Sequence, residues 1–219
     1  MAMHRQALRC FSAGPTGSTA GDGLRAELLL DGTRSRSTAV CLSERTPPGE
    51  RAAAVSAERR LAERAIAGVM RNAQAGELPL YAWTLGLPQD QLLRMIQAFF
   101  PELGALERMP RAQYRRLAAA LPAGFPALVG VLLAGRGPGR DAQTTWWLAH
   151  AVAAACEGSR SLREDLGLTD EDELSRLLAG HFVPLARSRP WGCGWKDFLI
   201  AHARARQAVP GRDASACGR

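Results

Sequence analysis

Cys193 is the residue whose surroundings best suit it for chemistry. It stands in the run Trp191-Gly192-Cys193-Gly194-Trp195, just ahead of a segment patterned as a helix from about Trp195. A thiolate at a helix N-terminus is stabilised by the helix dipole and by free backbone N–H groups. Arg187, Arg189 and Lys196 are its neighbours in sequence and would act in the same direction. The same run also reads as a tight turn packed by aromatic rings. Cys156 falls on an apolar helical face, where a free thiol behaves as a small hydrophobe. His181 lies on an apolar stripe, which reads as a core or half-buried position, with metal ligation as the sharper alternative. Cys217 is third from the end, after Arg204, Arg206 and Arg212, and has no ligand partner nearby in sequence. Cys10 and Cys41 fall in a region without periodicity and receive no role. No Cys-x-x-Cys pair, zinc spacing, Ser-His-Asp set or paired carboxylates appears, so nothing argues for an enzyme active site.

These residues need a scaffold, and the patterning supplies helices. A first helix is expected over Glu50 to Gln74, with Ala62, Ile66, Val69 and Met70 on one face and Gly76 as the stop. Pro88 opens a second, with Leu92, Met95, Ile96, Phe99 and Phe100 as its stripe and Pro101 ending it. A third covers Arg111 to Leu121, with Tyr114, Leu117 and Leu121 inward. Phe125 to Ala134 is apolar all round and should be buried. GRGPGR at 135–140 reads as a flexible, solvated linker, because it lacks the Gly-Lys-Ser/Thr ending of a phosphate-binding loop. Asp141 caps the next helix, whose face is Leu148, Val152, Ala155 and Cys156. Thr169, followed by three acids, reads as a hydroxyl cap ahead of a stripe of Leu174, Leu177, Leu178, His181 and Phe182. A last helix from Trp195 should carry Phe198, Leu199 and His202 inward. The class is all-α, with six to seven helices.

One echo runs through this pattern. LGL at 85–87 precedes LLRMIQAFFPEL, and LGL at 166–168 precedes ELSRLLAGHFVPL. Shifting by 82 residues sets Leu92 on Leu174, Met95 on Leu177, Ile96 on Leu178, Phe99 on His181 and Phe100 on Phe182. A turn plus an amphipathic helix occurs twice, which implies two packed halves.

Composition limits the rest. With 47% hydrophobic and 22% charged residues the chain is an ordinary globular protein, and its 219 residues hold one domain with an extension. The net charge of +7 is almost all arginine, since Lys196 is the only lysine. Ala, Gly and Arg are abundant throughout, so the charge reflects biased composition and argues against a nucleic-acid partner. Five cysteines, an odd number in a chain this long, argue against a disulfide framework and fit a reducing cytoplasm. The longest apolar run is about half of the roughly 20 residues a membrane span needs. Residues 1–50 read as a disordered tail, although residues 1–21 share the acid-poor character of a transit peptide. The helical domain is expected over 51–205, and 206–219 as a flexible remnant.

The stretch from Trp147 to Cys217 resembles the NifQ family of nitrogen-fixation accessory proteins. The segments that carry the likeness are WLAHAVAAACEG (147–158), DLGLTDEDELSRLLAGHFVPLA (165–186), GWKDF (194–198) and ASACG (214–218), in that order. The likeness extends over roughly residues 60–219. It implies an all-helical carrier rather than an enzyme. It also implies an iron–sulfur cluster, molybdenum as cargo for the nitrogenase iron–molybdenum cofactor, and cofactor-assembly proteins as partners. The family's ligands come from a C-terminal Cys-x4-Cys-x2-Cys-x5-Cys motif. Here Arg212 stands at the first motif position, Cys217 matches the second, and the sequence stops at Arg219, one residue before the third. A further family cysteine is replaced near Arg204. One thiolate cannot hold a cluster that needs several soft ligands. Three readings follow: a truncated or frame-shifted end, a site rebuilt from Cys193, Cys217 and His181 with a second subunit, or a relative that keeps the scaffold without the metal. The alternative function is a non-metal interaction module that meets an acidic partner through Arg187, Arg189, Lys196, Arg204 and Arg206.

Overall fold

The computed structural model describes residues 48–208, so Cys10, Cys41, Cys217 and most of both expected tails lie outside the described residues. Those residues form nine α-helices and no strand, which establishes the all-α class. The helices are α1 (Pro48–Gln74), α2 (Gln89–Phe99), α3 (Arg111–Ala119), α4 (Phe125–Ala134), α5 (Ala142–Ala155), α6 (Leu162–Asp165), α7 (Glu171–His181), α8 (Val183–Ser188) and α9 (Trp195–Ala208). The count exceeds the expected six to seven because α6 and α8 are single short turns, too brief to show a period. Two 3-10 turns, Leu80–Thr84 and Pro101–Leu103, complete the chain path.

The core sits around α5. From Thr144 to Ala155 every residue of α5 except Trp146 is buried, far more than the single face expected. Its alanines make this possible: short side chains let neighbouring helices approach on all sides. α4 packs against both α5 and α9. It is not buried all round, because Pro126, Gly130 and Ala134 face solvent. The stripe Leu174, Leu177, Leu178 and Phe182 is buried as expected. Each such side chain contributes about 1.5–3 kcal/mol when taken out of water.

The echo is real in the backbone and extends further upstream than the LGL units. α2 and α7 end in the same irregular turn: Phe100 has φ −130°, ψ 58°, and Phe182 has φ −125°, ψ 54°. Their N–H groups donate to Ile96 O and Leu178 O. A proline then opens the next short turn in both copies. Gly76 after α1 corresponds to Gly158 after α5, and Leu80 to Leu162, at the same shift of 82 residues. The unit is therefore a long helix, a short turn, LGL and an amphipathic helix.

The two copies dock reciprocally. α1 of the first copy meets the LGL turn of the second: a Cβ added at Gly68 would lie 2.1 Å from Leu166 O, and Asn72 Nδ2 donates to Glu164 O and Asp165 O, both at 2.9 Å. α5 of the second copy meets the LGL turn of the first, where His150 Nδ1–H donates to Leu85 O at 3.0 Å. Gly68 and His150 occupy the same position in the two copies. Leu85 has a φ of 54°, a left-handed conformation that costs about 1–2 kcal/mol for a residue with a Cβ. The Tyr114 hydroxyl holds the same turn by donating to Leu87 O at 2.6 Å.

Three details correct the patterning. The cap of α7 is Asp170, whose carboxylate accepts from Glu173 N at 2.7 Å, not Thr169. Thr169 contributes its backbone N–H, which donates to Glu173 Oε2, so a carboxylate wins where both caps were possible. His202 is exposed, and Ala203 takes the inward position on α9. The 135–140 segment is exposed at Arg136, Pro138 and Gly139 but is held rather than flexible: Gly135 packs on Leu185, and Gly137 N donates to His181 O at 2.9 Å. Arg140 Nε donates to Gly180 O at 2.9 Å, and its guanidinium pairs with Glu58. This loop supplies donors to the terminal carbonyls of α7, which would otherwise be unpaired.

Candidate functional site

Three of the four segments behind the family likeness meet at one buried ion pair. The Lys196 ammonium, at the start of α9, donates to Asp165 Oδ2 at 2.5 Å, Gly158 O at 2.8 Å and Arg160 O at 2.6 Å. An ammonium has three donors, and all three are used. Asp165 is fully buried, and its second oxygen accepts from Arg160 Nε at 3.1 Å. Gly158 must be glycine here, since a Cβ would fall 2.2 Å from Asp165 Oδ2. The end of α5, the DLGL turn and the start of α9 are thus clamped by one cation. Lys196 is accordingly not part of a free basic face, nor is it turned toward Cys193.

The NifQ family profile matches residues 65–217, well over half of the chain. The chain belongs to the NifQ family. Protein NifQ of Azotobacter vinelandii is 31% identical to it over 139 residues, which cover 60% of this chain and 70% of that relative. No solved structure matches significantly. The Lys196–Asp165 clamp lies within the matched span and fixes the start of α9.

Sequence patterning missed this clamp. One signal was available: Lys196 is the only lysine in an arginine-rich chain. A compact tetrahedral ammonium fits three converging oxygens, where a planar guanidinium would not.

The expected metal residues stand apart in their chemistry. His181 is 6% exposed, on the last turn of α7. Its Nδ1 is 3.0 Å from Thr145 Oγ1, and Nε2 is buried without a partner. Burial, with the nearby Arg140 cation, pushes its pKa down to about 4, so it is neutral near pH 7. Cys193 is half-buried at the turn before α9, and its thiol points at Gly194 O, 3.6 Å away. Its N–H donates to Pro190 O at 3.3 Å, and Arg189 donates to its carbonyl. Of the two tryptophans in this run only Trp195 packs: Arg189 stacks 4.5 Å over its ring, which meets Phe198 edge-on, while Trp191 is fully exposed. Cys217 lies outside the described residues.

Cys156 is buried beside the clamp. Burial pushes its thiol up to about 12, against the opposing pull of the Lys196 charge, which keeps it protonated and inert. Tyr81 is nearby and equally enclosed, with its hydroxyl buried and unpartnered.

An iron–sulfur cluster needs several thiolates converging on one point. Among the described residues no three of His, Cys, Asp and Glu converge in that way. Cys156 is held as a thiol and His181 is enclosed. The described residues alone do not fit a cluster.

Proposed function

We propose that this chain is a NifQ-type accessory protein of nitrogen fixation, a carrier rather than an enzyme, that passes molybdenum to nitrogenase cofactor assembly. The observation that carries this reading is the clamp. Three consecutive family segments converge on Lys196 and so keep the NifQ scaffold around the start of the helix that precedes Cys217 in sequence. Molybdenum is the cargo, and sulfur ligands suit it. Cys217 and Cys193 are the thiols we assign to it, while enclosure on α7 holds His181 back from an ion in solvent.

The test is anaerobic reconstitution of the full chain with iron, sulfide and molybdate, followed by absorbance in the sulfur-to-metal charge-transfer region and metal analysis. Wild-type protein should retain molybdenum, and Cys217→Ser and Cys193→Ser should each retain less. A colourless protein free of both metals after desalting would overturn the reading.

A further inference from the structure

We propose that the turn Pro190–Cys193 is a docking anchor for the protein that receives the cargo, with the Trp191 indole entering an apolar pocket rimmed by carboxylates. This inference rests on the carrier reading above. Trp191 is fully exposed, and nothing in the fold uses its ring. Its backbone is nevertheless fixed. Gly192 takes a φ of 78°, Cys193 N donates to Pro190 O, and Arg189 bridges the turn to the buried Trp195 by a hydrogen bond and a stacked guanidinium. An exposed aromatic on a fixed backbone loses little freedom on binding, which favours affinity.

The charges around it select the partner. Arg187, exposed on the last turn of α8, and Arg189 form no ion pair among the described residues, so two cations without a carboxylate partner stand within four residues of Trp191 in the chain. Trp and Arg are the residue types that dominate binding energy at protein interfaces. Single exposed aliphatics such as Val55 and Leu80 are ordinary on a protein surface and carry no such frame. Position adds to the case. Trp191 lies two residues before Cys193, one of the thiols assigned to the cargo above, so a protein docked there would lie beside that thiol.

The full chain, loaded anaerobically, would be titrated against the purified nitrogenase cofactor-assembly proteins of Azotobacter vinelandii by calorimetry. Wild-type should bind one of them, Trp191→Ala should weaken that binding at least about tenfold, and Arg187→Glu should weaken it and flatten its salt dependence. Leu80→Ala should bind as wild-type, and all variants should keep the wild-type melting temperature and metal content. Equal affinity for wild-type and Trp191→Ala overturns the proposal, as does wild-type binding to none of these proteins. Loss of metal by Trp191→Ala also overturns it, because the residue would then act in loading. A wild-type chain that holds no metal refutes the carrier reading itself, and this inference with it.

Discussion

Replacing Lys196 with Met removes one cation and leaves three oxygens behind. Asp165 is fully buried, and Lys196 keeps 16% of its side-chain surface exposed. Removing one partner of a buried ion pair typically costs about 3–5 kcal/mol, because the other charge remains buried without compensation. Here Arg160 still bonds Asp165 Oδ1, which places the expected loss at the lower end, about 3 kcal/mol. For a chain of this size that corresponds to a fall in melting temperature of about 6–12 °C. Urea unfolding under reducing conditions, followed by tryptophan fluorescence, measures it. Trp195 sits next to the clamp and Trp147 in the core, so both report on the transition. Asp165→Asn should cost at least about 1 kcal/mol less in the Lys196→Met background than in wild-type, since the two residues share one interaction. A Lys196→Met protein within about 0.5 kcal/mol of wild-type, the range of surface substitutions, would refute the clamp as an energetic feature.

Other consequences follow from the same geometry. Gly68→Ala should lose more than about 3 kcal/mol or fail to fold, because its Cβ meets a backbone oxygen, whereas Gly76→Ala should lose only about 1–2 kcal/mol from its φ of 81° in open space; thermal melts compare them. His181 is neutral when folded, with a pKa of about 4, and binds a proton more readily when unfolded, near 6.5. Its stabilising contribution is therefore complete above pH 6.5, is lost as pH falls toward 4, and totals about 3 kcal/mol; His181→Gln should flatten the pH dependence of urea midpoints across that window. Asp170→Ala should cost about 1 kcal/mol and Thr169→Ala much less, since only the former side chain caps α7. A soluble thiol reagent should label Cys193 but not Cys156 in native protein, with both labelled in urea, as read by peptide mass mapping.

Local rules located the helices well because their signals are local. Asp141 caps α5 through Thr144 N at 2.6 Å, and α4 runs over Phe125–Ala134, because cap chemistry and apolar runs act within a few residues. They failed where a distant partner decided the outcome. The GRGPGR segment has the composition of a linker, yet the carbonyls of α7 and the side chain of Glu58 hold it in place. His202 has helical spacing to Phe198, yet Ala203 faces the core, because the neighbours of α9 set its rotation. The metal residues divide in the same way. Cys193 was legible as a turn residue beside aromatic rings and His181 as a core or half-buried position, whereas the Thr145 partner that His181 meets comes from a helix 36 residues earlier.

The sequence by itself determined the class, the spans of the longer helices, the repeat and the family, because periodicity, caps and ordered motifs are properties of short windows. Only the tertiary structure decided how the two copies use one another. Gly68 against Leu166 O and His150 on Leu85 O are one exchange made by unlike residues, which no sequence echo could reveal. It also decided the role of Lys196. A lone lysine among arginines carries no address in sequence. Its three oxygens arrive from Gly158, Arg160 and Asp165 only when α5, the DLGL turn and α9 are packed, and an ammonium pays its desolvation only where all three acceptors converge.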